Sequence, residues 1–436
     1  MNTKEAKVMI IGSGGREDAL LGELRLSSQV GDIYVAPGNG GSDRFPDTAR
    51  IQVDIKNVRQ TIEAAQDLGV NLVVVGPEEP LVLGIIDELQ EVGISGYGPT
   101  KAAAQLEGSK AYAVEFMQVE GIPHPESHTF SDFDRAVDFT RQPPWTYKPN
   151  SGVVVKADGL AAGKGVFVCA HFDEAYDALR RLMVLEEFGK VGKQVIVQEK
   201  LSGYEASVMA IVNGTDYILM PTTEDHKQSL DGDRGKNTGG MGVDAPHPLI
   251  TPELEREIAT HVIDPILYGL QKRGITAKGT LYPGIMVTET GFSVLEINFR
   301  FGAPETEAIL SLFQGDLYKV FDWVVNGSRR PEVSFNTRSC IVVSLVSGGY
   351  PETYQKGLPI YGLDQIHGSD ARIYHAGTER NTDGTCKTVG GRVFSIAGLG
   401  ENREVARNNA YGVIGPQGIH FENMHYRTDI GKRHLE

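Results

Sequence analysis

One stretch decides the fold of the central part of this 436-residue chain: Val153-Val-Val-Lys-Ala-Asp-Gly-Leu-Ala-Ala-Gly-Lys-Gly-Val-Phe-Val-Cys169. Two apolar runs flank a loop with three glycines, which predicts a β-hairpin with a long glycine loop. Gly163-Lys164 invites comparison with the P-loop, but the spacing from Gly159 is one residue short, a glycine replaces the required Ser or Thr, and a strand follows. We therefore predict a flexible hairpin that folds over nucleotide phosphates, with Lys156 and Lys164 as cations. The alternative is two solvated lysines beside a mobile turn.

The beginning of the chain reads as strand, glycine turn, helix. Lys7–Ile11 is apolar, Gly12–Gly15 is the turn, and Glu17–Leu26 has helical apolar spacing. Apolar segments at 32–36, 72–75 and 94–97 continue the alternation of strands with helices. This pattern predicts a parallel sheet covered by helices.

The glycine turn is a weak match to the dinucleotide-binding fingerprint, because Glu17 occupies the position of the last glycine. The second strand ends in Ala36-Pro-Gly-Asn39 without the ribose-binding acid expected about 20 residues on, which disfavours a nicotinamide oxidoreductase. A helix N-terminus with free backbone N–H groups remains, and such a terminus binds phosphate. We predict a sugar-phosphate site whose residues are Gly14, Gly15, Arg16, Glu17, Gly38 and Asn39. The alternative is a set of glycines that only make tight turns.

The segment 295–300 has the alternation of a half-buried strand. Its polar face is predicted to carry Glu296, Asn298 and Arg300, and its apolar face Leu295, Ile297 and Phe299. Carboxylate and amide oxygens without His or Cys suit magnesium, so Glu296 and Asn298 are candidate metal ligands. Arg300 is a candidate for holding a carboxylate or a transferring phosphoryl group. The alternative is an amphipathic strand with a solvated face.

A polar segment leads into a second glycine loop. Asp225-His-Lys227 is followed by Asn237-Thr-Gly-Gly-Met-Gly242, whose glycines allow close approach to a ligand. We predict that Asn237, Gly239 and Gly240 position a small substrate.

The composition is that of a folded protein without nucleic-acid or membrane partners. A formal net charge of −15 argues against both, because such partners require clustered Lys and Arg. The cysteines Cys169, Cys340 and Cys386 form no CxxC pair, so neither a zinc site nor a disulfide framework is indicated. No stretch approaches the ~18 apolar residues of a membrane helix, and the first apolar run is too short for a signal peptide. We expect a cytoplasmic protein.

The order of elements predicts a chain of α/β and α+β domains. We expect an N-terminal substrate-binding α/β domain over 1–106 and a central catalytic domain over 107–124 and 199–331. A small lid domain is expected over 125–198 and a C-terminal domain over 332–436.

A set of motifs runs in order along essentially the whole chain: Gly14-Gly-Arg-Glu17, Ala36-Pro-Gly-Asn39, Val75-Gly-Pro-Glu78, Pro80-Leu-Val82, Gly98-Pro-Thr100, Gln105-Leu-Glu-Gly-Ser-Lys110, Val155-Lys-Ala-Asp-Gly-Leu-Ala-Ala-Gly-Lys-Gly-Val166, Asp225-His-Lys227, Asn237-Thr-Gly-Gly-Met-Gly242, Arg300-Phe-Gly302, Pro304-Glu-Thr306, Gly348-Gly-Tyr-Pro351 and His375-Ala-Gly-Thr378. The set resembles the glycinamide ribonucleotide synthetase (phosphoribosylamine–glycine ligase) family of the ATP-grasp superfamily.

The resemblance implies an ATP-grasp fold with a Rossmann-like, preATP-grasp N-terminal domain and a small C-terminal domain. It implies that ATP is bound by Lys110, Lys156, Lys164, Glu199, Lys200 and Glu205, and that Mg²⁺, with Mn²⁺ as an alternative, is bound by Glu296 and Asn298. Lys164, Arg300 and Asp225 are the implied catalytic residues, with Arg300 also at the substrate. The implied reaction of purine synthesis forms glycyl phosphate from glycine and ATP, and 5-phosphoribosylamine captures it. The expected state is a monomer or a weak homodimer.

This chain departs from the family at several positions. It has Asp18 where the family usually has His, Ala303 where it has Asp, and Lys236 where it has Pro. Its Gln198-Glu-Lys200 replaces two glutamates and an aromatic residue. A carboxylate at Asp18 beside a sugar phosphate is expected to weaken phosphate binding by Coulomb repulsion. The main alternative is a paralogous ligase that joins an amino acid to a different amine. A nucleotide-binding regulator and a nicotinamide oxidoreductase are both less favoured.

Overall fold

The computed structural model describes residues 6–145, 152–161, 164–365 and 370–433. Gly163 of the predicted hairpin loop lies outside these ranges. The predicted architecture of α/β and α+β parts is confirmed. Within the described ranges, no helix combines the length and the apolar character needed to cross a membrane.

The N-terminal part is a five-stranded parallel sheet with helices on both faces, as predicted. Its central strand, Ala6–Gly12, is apolar from Val8 to Ile11 because its alternate side chains enter two different cores. In sheet order the strands are Thr48–Arg50, Val30–Pro37, Ala6–Gly12, Leu72–Val75 and Ser95–Tyr97. The helices are Gly15–Leu24, Val58–Asp67, Glu78–Leu83, Ile85–Glu91 and Lys101–Gly108.

The predicted hairpin belongs to a four-stranded antiparallel sheet. Val153 pairs with Cys169 and Lys156 with Val166, so the glycine loop lies between these two strands. In sheet order the strands are Ser127–Phe130, Val195–Glu199, Val153–Ala157 and Val166–Cys169. The helices over this sheet are Phe133–Arg141 and Phe172–Leu179, followed by a π-turn at Arg180–Val184 and a 3-10 turn at Gly189–Gly192.

A five-stranded antiparallel sheet forms the central part. Its strands are Tyr204–Ser207, Lys278–Thr288, Ala210–Asn213 and Asp216–Leu219, with Gly291–Asn298 on Lys278–Thr288. Its helices are Lys110–Glu120, Pro252–Ile258 and Asp264–Lys272, the last two joined by a π-turn at Ala259–Ile263.

The predicted apolar face of the strand Gly291–Asn298 is wrong at Leu295. Gly284 pairs with Glu296 but Ile285 pairs with Val294, so Leu295 is an extra, bulged residue without a partner in the ladder. Val294, rather than Leu295, packs into the core with Ile297 and Phe299. Strict alternation fails here because a bulge shifts the side-chain phase by one residue.

A six-stranded sheet dominates the C-terminal part, but two of its strands come from the central segment. Glu224–Asp225 pairs with Gly242–Ala245, which in turn pairs with Ser339–Ser347. The sheet continues with Arg392–Gly400 and Ala371–His375, and Met424–His425 pairs with Ser339–Ser347. The helices Glu305–Leu312 and Arg403–Tyr411 pack against this sheet, whereas Leu317–Asn326 packs against the strands Ser95–Tyr97 and Ala210–Asn213. A 3-10 turn lies at Leu363–Gln365.

Smaller sheets complete the described chain. Thr378–Arg380, Cys386–Thr388, Pro359–Tyr361 and His420–Phe421 form one, Gln228–Leu230 pairs with Arg234–Asn237, and Phe313–Gln314 pairs with Ser334–Phe335. The helix Gly15–Leu24 packs against Glu305–Leu312 and Ala371–His375. This packing brings the first glycine loop to the junction of the N-terminal, central and C-terminal parts.

Candidate functional site

Glu296 lies among three lysines that come from three separate elements. Lys156 is in the strand Val153–Ala157, Lys110 begins the helix Lys110–Glu120, and Lys227 follows the strand Glu224–Asp225. Burial alone would raise the pKa of Glu296, but Lys227, Lys156 and Lys110 lower it to about 2. The carboxylate is therefore ionised at neutral pH inside a cationic site, which we call the lysine cluster.

Lys156 is the most deeply placed cation of the lysine cluster. Its side chain is buried, and its ammonium donates to the carbonyl of the bulged Leu295 at 2.9 Å. Burial lowers the pKa of Lys156 to about 8, against the attraction of Glu296. An anion placed beside this ammonium would offset the cost of keeping its charge in a desolvated position.

The two predicted metal ligands share one face of their strand, because Glu296 and Asn298 are two residues apart. Asn298 Nδ2 donates to the Tyr282 carbonyl at 3.3 Å, so the amide oxygen is the atom that Asn298 can offer a cation. An ionised carboxylate and an amide oxygen are hard donors of the kind that Mg²⁺ prefers. The residues present therefore fit a magnesium ion.

The other predicted nucleotide residues differ in their relation to the lysine cluster: Lys110 belongs to it, and Glu205 pairs with it. Lys110 Nζ donates to the Gly159 carbonyl at 2.8 Å, beside the hairpin loop. Glu205 accepts a hydrogen bond of 2.6 Å from Lys227, so its partner is a lysine of the cluster. Glu199 is buried at the end of its strand, and Lys200 follows it. Lys164 is exposed, and no contact of its ammonium with the cluster is seen in the described part of the chain.

Arg300 is held by two carboxylates from helices of the N-terminal part. Its Nε lies 3.0 Å from Glu107 and 3.3 Å from Glu78, and its Nη1 donates to the Phe301 carbonyl at 3.0 Å. Although burial alone would lower the pKa of Arg300, Glu107 and Glu78 raise it. Arg300 is thus a fixed cation at the end of the strand that carries Glu296.

The first glycine loop is closed by its own glutamate. Glu17 Oε2 accepts the backbone N–H of Gly14 at 2.6 Å, and Glu17 Oε1 accepts Arg16 Nε at 2.6 Å. The prediction of free N–H groups at this helix terminus is therefore wrong at Gly14. Arg16 also donates to the Phe301 carbonyl at 2.9 Å, which ties the loop to the strand of Arg300. A side chain at Gly15 would place its Cβ 2.4 Å from Glu307 Oε1, so glycine permits this close packing.

Asn39 joins the second predicted phosphate loop to neighbouring segments by hydrogen bonds. Asn39 Nδ2 donates to the carbonyls of His375 at 2.7 Å and Ser13 at 3.0 Å, and its Oδ1 accepts the N–H of Gly41 at 2.8 Å. Gly38 adopts a φ of +71°, which favours glycine. The Asn39 side chain therefore connects its own loop to the first glycine loop and to the backbone at His375.

Asp18, the residue that stands where the family usually has His, has two partners within the protein. Its side chain is fully buried, its Oδ1 accepts Arg44 Nη1 at 2.5 Å, and its Oδ2 accepts the backbone N–H of His375 at 3.0 Å. Burial raises the pKa of Asp18, and Arg44 opposes that shift. The repulsion expected between Asp18 and a sugar phosphate is therefore offset within the protein.

Asp225 and the second glycine loop meet beside Ala303. At Gly240, where φ is +106°, an added Cβ would lie 2.4 Å from Pro304 Cδ and 2.8 Å from Asp225 Oδ1. Asp225 Oδ1 is buried and has no hydrogen-bond partner among the described residues. Burial and the neighbouring Glu305 raise the pKa of Asp225 to about 7. Asn237 is exposed at the other end of the loop. No contact between Asn237 and Asp225 is seen among the described residues.

Several residues of the site escaped the sequence reasoning. Arg392 donates to the carbonyls of Gly239 and, at 2.8 Å, of Ala303, so one guanidinium joins the two loops. Glu305 accepts a hydrogen bond of 2.5 Å from Tyr282, and burial raises the pKa of Glu307 to about 7. Lys227 belongs to the motif Asp225-His-Lys227, so the sequence offers a signal for it, whereas Arg392 belongs to none of the motifs given above.

Three family models match the chain in order. The phosphoribosylglycinamide synthetase N domain matches residues 6–107, its ATP-grasp (A) domain 108–306 and its C domain 340–433. The chain is 41% identical over 425 residues to the phosphoribosylamine–glycine ligase of Caldanaerobacter subterraneus subsp. tengcongensis, a match over 97% of this chain and 99% of that protein. It is 38% identical to the enzyme of the same name from Vibrio parahaemolyticus, over 98% of each chain.

Solved structures are similar to this chain over nearly its whole length. The phosphoribosylamine–glycine ligase of Thermotoga maritima is similar with a TM-score of 0.82 at 32% identity, over 97% of this chain and 100% of that one. The biotin carboxylase domain of Hydrogenobacter thermophilus 2-oxoglutarate carboxylase, solved with ADP, magnesium and bicarbonate, has a TM-score of 0.75 at 15% identity, over 96% of this chain and 91% of that chain. The second likeness shows the fold alone, and that fold is the ATP-grasp fold named by the matching family model.

Proposed function

We propose that this chain, because it belongs to the phosphoribosylglycinamide synthetase family, joins glycine to 5-phosphoribosylamine with the consumption of ATP. The γ-phosphoryl group passes to a carboxylate oxygen of glycine, and ADP leaves. The amine of 5-phosphoribosylamine then attacks the carbonyl carbon of glycyl phosphate, inorganic phosphate leaves, and glycinamide ribonucleotide forms. The chain is thus a carbon–nitrogen ligase of purine synthesis.

The lysine cluster takes part in the first step, the transfer of the phosphoryl group. Lys110, Lys156 and Lys227 bind and orient the nucleotide phosphates, and Lys164 adds a cation from the hairpin loop. Glu296 and Asn298 would hold a magnesium ion, which would neutralise part of the phosphate charge. Because the transferring group carries its charge on peripheral oxygens, fixed cations lower the barrier without a covalent enzyme nucleophile. The bulge at Leu295 contributes by giving the Lys156 ammonium a carbonyl to hold it in position.

The nucleotide base and ribose lie near the end of the strand Val195–Glu199, an inner strand of the sheet that contains the hairpin. We assign Glu199 and Lys200 to the adenine, because they stand at the end of Val195–Glu199, next to the hairpin that carries Lys156. Glu205 is assigned to the ribose. Its ion pair with Lys227 then orders both groups before the nucleotide arrives.

The residues at the junction beside Ala303 take part in the second step, the attack of the amine on glycyl phosphate. Asp225, with a pKa near neutrality, accepts a proton from the attacking amine, and Arg300 orients the acyl phosphate. Gly239 and Gly240 approach the amino acid, with Asn237 at the exposed end of the loop. The sugar phosphate lies at the loops of Gly14, Gly15, Arg16, Glu17, Gly38 and Asn39. Since Arg44 already pairs with Asp18, that carboxylate does not oppose this placement.

The observation that carries the proposal is the convergence of three lysines on Glu296. Replacing Glu296 by Gln or Lys227 by Met is expected to reduce ADP release, measured with ATP, magnesium, glycine and freshly generated 5-phosphoribosylamine, at least a hundredfold. Lys236→Met is the matched control, because Lys236 is exposed and pairs with Glu352 outside the cluster. The product is identified by mass. Wild-type protein that consumes ATP without forming glycinamide ribonucleotide would overturn the assigned acceptor, and unchanged rates in both cluster variants would overturn the assigned residues.

We extend the proposal to the predicted limits of the domains, 1–106, 107–124 with 199–331, 125–198 and 332–436, and to a cytoplasmic, monomeric or weakly dimeric protein. Light scattering at several protein concentrations measures the oligomeric state. Limited proteolysis that cuts first near 106, 125 or 198 would support the limits, and a first cut inside the central sheet would contradict them.

A further inference from the structure

A buried cluster of one histidine and two carboxylates lies on the opposite face of the strand that carries Asp225. Glu224, His226 and Asp244 each expose no more than 3% of their surface, and one ligand atom from each lies within 4.8 Å of the others. We propose that this group, called here the rear cluster, binds one divalent transition-metal ion, of which zinc fits best.

The backbone builds the rear cluster without strain. Glu224 and Asp244 are directly paired across antiparallel strands, so their side chains share one face. His226 is two residues beyond Glu224, its N–H donates to the Gly242 carbonyl at 2.9 Å, and its side chain falls on that same face. Strand alternation puts Asp225 on the other face. The rear cluster is therefore separate from the magnesium ligands assigned above.

Two atoms of the rear cluster point to a ligand. His226 Nε2 and Asp244 Oδ1 are buried, and neither has a hydrogen-bond partner among the described residues. They are 3.6 Å apart, which is longer than a hydrogen bond. Two ligands at about 2.1 Å from a tetrahedral zinc ion stand about 3.4 Å from each other, so this separation matches one edge of a zinc site.

Arginines hold the outer oxygens of both carboxylates. Arg403 pairs with Asp244 Oδ2, and Arg433 lies 3.0 Å from Glu224 Oε1. Such partners orient carboxylate ligands of metal ions, and at Asp244 the pairing of Oδ2 leaves Oδ1 for the ion. Among the described residues, the ion pairs around the rear cluster join the carboxylates Glu224, Asp233, Asp244 and Asp429 to the guanidinium groups of Arg403, Arg427 and Arg433.

The donor set selects the kind of ion. An imidazole nitrogen with two carboxylate oxygens suits zinc better than magnesium or calcium, which prefer oxygen ligands alone. Three protein ligands leave a fourth tetrahedral position for water. Because no substrate-binding residue shares this face, the ion would brace the strand behind Asp225 and Lys227 rather than enter the reaction.

Zinc content of the full chain tests the proposal. Protein loaded with zinc and dialysed against metal-free buffer is expected to retain about one zinc per chain by elemental analysis, and His226→Gln and Asp244→Asn at least tenfold less. Glu296→Gln is the matched control, because it removes a proposed magnesium ligand and is expected to keep the zinc. This control separates failure of the rear cluster from failure of the proposed ligase site.

A second measurement needs no variant to fold. Cobalt added to the metal-free wild type is expected to give visible absorption bands of a four-coordinate site, and zinc is expected to abolish them. Folded wild type that retains less than about 0.1 zinc per chain, or variants that retain as much as wild type, would overturn the proposal; the first result would leave a His226–Asp244 ion pair as the function of the cluster.

Discussion

Replacing Lys156 by Met is expected to abolish a proton uptake that accompanies nucleotide binding. In the ligand-free protein, burial lowers the pKa of Lys156 from its ordinary 10.5 to about 8. That difference corresponds to about 3 kcal/mol of cost for the charged form. Phosphate oxygens beside the ammonium would offset this cost and return its pKa towards 10.5. At pH 8.5 the ligand-free site holds roughly a quarter of a proton and the complex nearly a whole one, so binding takes up roughly 0.7 proton.

Isothermal titration calorimetry measures this uptake. ATP is titrated at pH 8.5 into wild type and Lys156→Met, in two buffers that differ in ionisation enthalpy, and the difference between the apparent heats gives the protons exchanged. Lys164→Met is the matched control, because Lys164 is exposed and its loss is expected to weaken binding while leaving the uptake in place. A wild type that takes up less than roughly 0.2 proton, or a Lys156→Met variant that takes up as many protons as wild type, would refute the placement of Lys156 at the phosphates.

Three further predictions concern the residues assigned to amine binding and the Arg44–Asp18 pair. Asp225 works as a base only when ionised, so kcat/KM for the amine should rise with pH up to about 7 and then level off, and Asp225→Asn should remove this limb from the pH profile. Gly240→Ala forces a Cβ to within 2.4 Å of a proline ring and should lower kcat/KM roughly a hundredfold, whereas Gly274→Ala, also at positive φ but in open space, should cost only about 1 kcal/mol of stability in urea titrations. Arg44→Met leaves Asp18 buried without its cation and should lower the free energy of unfolding by about 3 kcal/mol, most of which Asp18→Asn in the same chain should restore.

The parts of the structure that depend on local pattern were predictable from the sequence. The parallel N-terminal sheet follows from apolar runs alternating with helices, and the hairpin from two apolar runs around a glycine loop. The grouping of Glu296 with Asn298 follows from a two-residue period, since a strand places such residues on one face. Where the period was interrupted, at Leu295, the prediction failed, because a bulge leaves no local signature in a single sequence.

The parts that depend on long-range contacts were not predictable in the same way. Arg44 reaches Asp18 across 26 residues, and Arg392 reaches Gly239 across 153 residues. Nothing in the neighbourhood of either arginine marks it as a partner, because the folded chain alone decides which charges meet. The order of the motifs along the chain nevertheless identified the family, whose three domain models match in the same order.

The C-terminal sheet has a consequence for how the chain is made. Among the described residues, the ladder partner of Glu224–Asp225 is Gly242–Ala245, and the second partner of Gly242–Ala245 is Ser339–Ser347, which emerges from the ribosome later. Roughly 100 residues separate the two events, which at about 5–20 residues per second is an interval of about 5–20 s. During that interval the exposed edge of Gly242–Ala245 is open to pairing with other chains. We therefore expect nascent-chain chaperones to bind this central segment rather than the N-terminal part. Slower translation between codons 245 and 339 would lengthen the exposure and lower the yield of folded enzyme.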